Sequence, residues 1–272
     1  MPELPEVETI VRGLQSRVAG DSIASVWVGS RKQPLKSSAR KIASILTNQK
    51  ILRVRRMGKH IVFDLAESSA KNAAAQWIVH LGMTGRMLVC EPEDLAAKHT
   101  HLVATLVSGR ELRFIDARMF GKLSVSVPAK FDPGGLEPLD ADVASFLKLF
   151  RRRKTPIKSA LLNQKLLRGV GNIYADEALA RTGIRPRRRA SSISKGDLAR
   201  LLVAIQDVLR EAIKLGGSSV SDYVGADGEE GFFQLRHRVY GREGEPCLQC
   251  KTPIRRVVIG GRSSHYCPKC QK

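Results

Sequence analysis

The sequence has no apolar run approaching the roughly 18 residues that a membrane-spanning helix requires. A targeting leader is not expected either, because the chain opens with Glu3, Glu6 and Glu8 where signal and transit peptides are basic. Internal repeats and extended low-complexity tracts are lacking, and cysteine is scarce, five in 272 residues. Acidic side chains are the marked deficit: 26 Asp and Glu stand against 46 Lys and Arg, a net charge of +20. That imbalance attracts polyanions, either nucleic acid or an anionic membrane surface. The 43% apolar content suffices for real cores, so general disorder is excluded. A soluble cytoplasmic protein of two ordinary domains with a small appendage is expected.

The positive charge is unevenly placed. Residues 151–200 hold 14 basic and 3 acidic side chains, more than half of the excess. Arg151-Arg152-Arg153-Lys154 and Arg185-Pro186-Arg187-Arg188-Arg189 bracket a segment of helical periodicity, which reads as a folded basic platform, not a tail. Leu4, Val7, Ile10, Val11, Leu14 and Val18 share one helical face, with Gly20 as a stop. From about 21 to 127 short β-type runs follow: 23–28, 51–54, 60–65, 77–80, 102–107 and 112–115, with Ser108-Gly109 as a hairpin turn. Pro133, Gly134, Gly135 and Pro138 mark a linker, and helices are expected over about 142–152, 157–167, 172–182 and 195–214. The Gly-rich stretch 216–231 is too long and irregular for a routine connection.

Cys247-x2-Cys250 and Cys267-x2-Cys270 enclose sixteen residues, the spacing of a ribbon whose two knuckles present four thiolates to one zinc ion. Two disulfides would suit the same pairs, but a cytosolic chain keeps its thiols reduced. Four thiolates leave no open coordination position, so this ion is structural. Cys90 stands alone. Arg255–Ile259 can form a strand and Gly260-Gly261 a tight turn, which puts Arg262 at or near a hairpin tip.

Removal of Met1 would leave Pro2 with a secondary amine whose pKa near 8 keeps about a tenth neutral at neutral pH. Such an amine attacking an aldehydic sugar carbon gives an iminium ion, an electron sink that labilises the neighbouring C–H bond. Glu3 and Glu6 share a helical face beside it and could serve as general acid and base. The same residues also make an ordinary helix start, with acids favoured by the helix dipole.

The opening Pro2-Glu3-Leu4-Pro5-Glu6-Val7-Glu8-Thr9 resembles the bacterial formamidopyrimidine-DNA glycosylases. The resemblance runs essentially end to end, through His80–Gly85, Gly169–Ala175, Val239-Tyr240-Gly241-Arg242 and the terminal four cysteines. The related endonuclease VIII proteins typically carry Gly in place of Leu4, so the opening favours the formamidopyrimidine branch.

The resemblance implies an α+β multidomain fold: an N-terminal antiparallel β-sandwich with a leading helix (1–130), a linker (131–141), a helix-two-turns-helix DNA-binding domain (142–236) and a zinc ribbon (237–272). It implies a glycosylase and abasic-site lyase excising oxidised purines by β- and δ-elimination. Pro2 would be the nucleophile, Glu3 the proton donor and acceptor, Glu6 a supporting acid, and Lys59 a contact to the phosphate beside the lesion. Met83, Arg118 and Phe120 would fill the void left by an everted base, although read alone Met83 and Phe120 suit a core. Asp116-Ala117-Arg118-Met119-Phe120 departs from the common Asp-Pro-Arg-Arg-Phe pattern at Ala117 and Met119. Lys158, Asn172 and Arg262 would contact DNA, and Ser218, Ser219 and Tyr223, on a flexible loop, the everted base. The implied partner is damaged double-stranded DNA held by a monomer without a membrane. One structural zinc is expected, with no organic cofactor and no catalytic metal. Two alternatives fit the same charge and cysteines: an endonuclease VIII-like enzyme for oxidised pyrimidines, and a non-catalytic zinc-ribbon nucleic-acid binder.

Overall fold

A computed structural model describes residues 1–67, 69–70, 72–219 and 231–272. Its contacts divide the chain into two compact units, Met1–Asp132 with Gly216–Gly231, and Pro133–Leu215 with Phe232–Lys272. No helix among the described residues is long and apolar enough to cross a membrane.

The first unit runs α1 (Leu4–Val18), β1 (Ile23–Val28), α2 (Ala39–Leu46), β2 (Lys50–Met57), β3 (His60–Ala66), β4 (Ala75–His80), β5 (Arg86–Cys90), β6 (Thr100–Leu106), β7 (Glu111–Ile115) and β8 (Lys122–Ser126). Two four-stranded sheets form, in the orders β1-β6-β7-β5 and β2-β3-β4-β8, with every pairing antiparallel. One core joins them. Phe63 and Trp77, cross-strand partners with stacked rings 4.6 Å apart, pack in the same apolar cluster as Leu102, Leu112 and Phe114 of the other sheet. The apolar face of α1 enters that cluster through Val7, Ile10, Val11, Leu14 and Val18, which fixes the N-terminus against the sheets.

Six of the eight strands coincide with the apolar runs expected from the sequence, whereas α2, β5 and β8 lay outside those expectations. Their signals are short: α2 buries only Ile42 and Leu46, and β8 only Leu123. Tertiary packing, not periodicity, makes them.

The second unit contains α3 (Val143–Phe150), α4 (Ile157–Leu162), α5 (Asn172–Thr182), α6 (Lys195–Lys214), β9 (Arg255–Ile259) and β10 (Arg262–Tyr266). Asp142 and Ser194 cap α3 and α6 by accepting the backbone N–H three residues on. The apolar spine of α6, Leu198 through Ala212, is buried. One correction concerns α4, which ends at Leu162 and does not continue to 167. The Gln164 side chain competes for the backbone there, donating to the carbonyls of Leu162 and Val170 and accepting from Gly169 N–H. The chain is thereby bent into the turn that leads to α5. Glu177, fully buried on α5, accepts the N–H groups of Arg238, Val239 and Tyr240 at 2.8–3.0 Å, tying the segment before the ribbon to this helix.

Candidate active site

In the first unit the chain end is packed, not frayed: Pro2, Glu3 and Glu6 are all buried. Glu6 Oε2 accepts Glu3 N–H at 2.8 Å, and its Oε1 accepts Ser218 N–H at 2.8 Å. One carboxylate thus joins the start of α1 to the base of the glycine-rich segment. Gly217 (φ +86) is needed there, since a Cβ would come 2.9 Å from Glu6 Oε1. The terminal amine belongs to Met1. Burial lowers its pKa below the usual 8.0, the Glu3 and Glu6 charges raise it, and Lys59 and Arg118 lower it. Those four charged side chains therefore lie within electrostatic reach of the chain terminus. Lys59 is buried in the Gly58-Lys59 turn between β2 and β3, where Gly58 takes a φ of 60°.

His80 stands beside this turn, its ring 5.0 Å from that of His60. Burial first, then His60, Lys59 and Lys122, push His80 down to about 4. Its Nδ1 accepts Gly82 N–H at 3.1 Å, which leaves the ring proton on Nε2. The next residue, Met83, is exposed, as are Arg118 and Phe120 on the loop between β7 and β8. The Arg118 guanidinium lies 4.9 Å from the centre of the Phe120 ring. Neither Met83 nor Phe120 is the core residue that its type alone would suggest. Met119 takes the left-handed conformation (φ 55°) in this loop, and its N–H reaches Asp116 O at 3.3 Å.

Of the glycine-rich segment, Ser218 contributes its backbone N–H to Glu6, and Ser219 Oγ accepts Gly231 N–H at 2.8 Å. Tyr223 lies outside the described residues.

In the second unit the Gly171–Asn172 junction opens α5. Asn172 Nδ2 donates to Ser263 Oγ at 3.4 Å, while its buried Oδ1 has no hydrogen-bond partner among the described residues. Arg262 is exposed as the first residue of β10, after the Gly260-Gly261 turn (φ 56° and 75°). Lys158 differs from its sequence expectation as a DNA contact. It is fully buried, and its ammonium donates to Asp176 Oδ1 at 2.5 Å and to Ser263 O at 2.9 Å. Asp176 Oδ2 accepts His265 N–H at 2.9 Å. This cluster clamps β10 to α4 and α5, and so carries Arg262 and Asn172 into one neighbourhood. Sequence reading missed Gln164, Asp176, Ser263 and His80; the one signal available was a pair of acids, Asp176-Glu177, amid the apolar residues of α5.

Three family models match in order. They are the formamidopyrimidine-DNA glycosylase N-terminal domain over residues 1–123, its H2TH domain over 135–224, and a zinc finger found in FPG and IleRS over 244–272. A formamidopyrimidine-DNA glycosylase of Solibacter usitatus is 48% identical, with 100% of both chains covered. The chain belongs to the formamidopyrimidine-DNA glycosylase family. Among solved structures, a complex between the Lactococcus lactis Fpg and DNA containing an abasic site is similar with a TM-score of 0.90 at 31% identity, covering 99% of each chain. The MutM (FPG) protein of Thermus thermophilus is similar with a TM-score of 0.87 at 38% identity, covering 99% of this chain and 98% of the other.

The ribbon of this family member is built for a metal. The ligand sulfurs of Cys247, Cys250, Cys267 and Cys270 lie within 4.8 Å of one another, with Cys247–Cys270 at 3.9 Å and Cys250–Cys267 at 3.4 Å. A tetrahedral ion with zinc–sulfur bonds of about 2.3 Å needs sulfur separations of roughly 3.8 Å. The four thiolates hold one structural zinc, and Cys247 and Cys267 pack with Val239 and Ile254 in the small ribbon core.

Proposed function

We propose that this protein excises oxidised purines, oxoguanine and formamidopyrimidines, from duplex DNA and cleaves the abasic site it creates. The observation that carries the reading is the setting of the N-terminal amine. Pro2 is buried, a setting that favours the neutral, nucleophilic form of an amine, and Glu3 and Glu6 supply two buried carboxyls beside it. The Pro2 nitrogen attacks sugar C1′ as the bond to the damaged base breaks, and the base leaves with a proton. The sugar opens to an iminium between C1′ and Pro2. Loss of a C2′ proton then expels the 3′ phosphate, and a second elimination expels the 5′ phosphate. Glu3 gives and takes the protons at the sugar. Glu6 holds Glu3 and the Ser218 backbone in place through its two hydrogen bonds. Lys59 places a positive charge at the phosphate beside the lesion.

Met83, Arg118 and Phe120 occupy the void left by the everted base, two wedges and one hydrogen-bond donor. Asn172 and Arg262 hold phosphates. A half-turn of the Asn172 amide would let Oδ1 accept from Ser263 and leave NH2 as the unpartnered group, a donor suited to a phosphate oxygen. Lys158 acts behind them as a positioning residue. Ser218, Ser219 and Tyr223 belong to the loop over the everted base. We assign catalysis to residues 1–130, DNA binding to 142–236 and to the ribbon at 237–272, with 131–141 as linker, in a monomeric cytoplasmic enzyme. The similar Lactococcus lactis proteins were solved with DNA containing N7-benzyl-Fapy-dG, an abasic site or an oxidised pyrimidine, which supports damaged DNA as the substrate and leaves the choice of base to the lesion panel below.

Borohydride reduction during reaction with an abasic-site duplex tests the chemistry. Untagged protein lacking Met1 should form a covalent adduct, and Pro2→Gly or an N-terminal extension should reduce it sharply. Absence of an adduct with mature protein refutes the mechanism. On a panel of lesion duplexes, preference for thymine glycol over oxoguanine would refute the substrate assignment.

A further inference from the structure

The loops bearing Met83 and the Arg118–Phe120 pair are far apart in sequence, yet one carboxylate binds them together. Asp116 is fully buried at the end of β7. Its Oδ1 accepts the Thr84 hydroxyl at 2.6 Å, across to the Met83 loop, and Arg118 N–H at 3.3 Å. Its Oδ2 accepts Gly121 N–H at 2.7 Å, closing the far side of the Arg118–Phe120 loop. Thr84 Oγ1 in turn accepts Arg118 N–H at 3.3 Å, and the Asp116 carbonyl is hydrogen-bonded to His101 Nε2 on β6 at 2.8 Å. Backbones touch here as well: a Cβ on Gly82 would come 2.5 Å from Phe120 C and Gly121 N, and one on Gly121 would come 2.5 Å from the Phe114 ring.

We infer that Asp116 and Thr84 are positioning residues that make the Met83 loop and the Arg118–Phe120 loop one rigid probe, so that the three exposed side chains enter the duplex together. This rests on the void-filling reading of those three residues. The physical reason is preorganisation. Unstacking a base pair costs a few kcal/mol, and wedges held in register recover part of that cost at the moment of eversion. Wedges on independently moving loops would first have to be ordered. Hydrogen bonds to a buried carboxylate suit this task, the Thr84 and Gly121 bonds being short and bonds to a charged acceptor stronger than neutral ones. Thr84 is the informative member, because it supplies the cross-loop bond while Asp116 retains its own loop through Gly121.

The test is single-turnover kinetics of Thr84→Val on two duplexes, one with oxoguanine opposite cytosine and one with a preformed abasic site. Base release should slow roughly tenfold, the equivalent of one lost hydrogen bond in the barrier. Strand cleavage at the abasic site, where no base has to be evicted, should stay within about twofold. In a Phe120→Ala background Thr84→Val should cost less than it does alone, because part of the probe it positions is already gone. Asp116→Asn, which can still accept from Gly121, should recover part of the base release that Asp116→Ala loses. Equal slowing on both duplexes, or full additivity with Phe120→Ala, would overturn the coupling and leave a general structural role. Normal base release in Thr84→Val, when Met83→Ala and Phe120→Ala are slow, would overturn it too. If Met83→Ala and Phe120→Ala release base at the unaltered rate, the void-filling reading has failed, and this inference with it.

Discussion

Removing the charge of Lys158 should destabilise the second unit far more than removing any surface ion pair. Lys158 and Asp176 are both completely buried, 2.5 Å apart. In Lys158→Met, Asp176 would keep, among the described residues, only the His265 contacts on Oδ2, and Oδ1 would face an apolar side chain. Breaking a buried pair from one side costs about 3–5 kcal/mol, because the stranded charge has lost water and partner alike. The Asp207–Arg210 pair, 3.8 Å apart with both side chains more than half exposed, is the internal control, worth under about 1 kcal/mol. Urea unfolding followed by zinc release to a chromogenic chelator reads the second unit specifically, since all four cysteines lie within it. Lys158→Met should lower its stability by several kcal/mol, and Lys158→Met with Asp176→Leu should regain a large part of that loss. DNA affinity should fall with Lys158→Met, because β10 would lose its anchor through Ser263 O. A loss no larger than that of Asp207→Asn would refute the argument.

Chelation of zinc should unfold the ribbon, whose core beyond the cysteines is little more than Val239 and Ile254, and should weaken DNA binding while the β-sheets of residues 1–130 persist by circular dichroism. Unchanged affinity after verified metal loss would contradict this. DNA affinity should fall roughly a thousandfold between about 50 and 200 mM salt if six or more phosphates are held, and a flat response in a salt titration would remove the basic platform from the interface. His80 is held neutral in the fold, down to about 4 from 6.5. The unfolded chain therefore binds the extra proton first, and stability should decline as pH falls from about 6.5 towards 4. Urea midpoints across that range should show the decline, and His80→Gln should reduce it, leaving the share of His60 and His237, which burial also depresses.

The elements most legible in the sequence were those with redundant signals. Helix α1 repeats its apolar residues over fifteen positions, α6 over twenty, and the cysteine pairs carry ligand chemistry in their spacing. Less legible were the places where side chains redirect the backbone. The early end of α4 depends on Gln164 bonding both sides of a turn, and nothing in its residue type announces that role. For Lys158 the resemblance implied a DNA contact. Its burial follows from Asp176, eighteen residues on, a pairing invisible until α4, α5 and β10 are packed.

Local chemistry already lay in the chain: a Pro2 able to become a secondary amine, acids one helical turn apart, four thiols paired for a tetrahedral ion, and an excess charge of +20. Each depends only on residue type and short-range spacing, which the covalent chain sets before any folding. Tertiary structure decided which charges face solvent and which are consumed inside. It exposed Met83 and Phe120, buried Lys158 against Asp176, joined two distant loops through Asp116, and brought Glu3, Glu6, Lys59 and Arg118 within electrostatic reach of the terminal amine. Those outcomes depend on desolvation and on contacts between residues remote in sequence, whose energies exist only once the water is excluded.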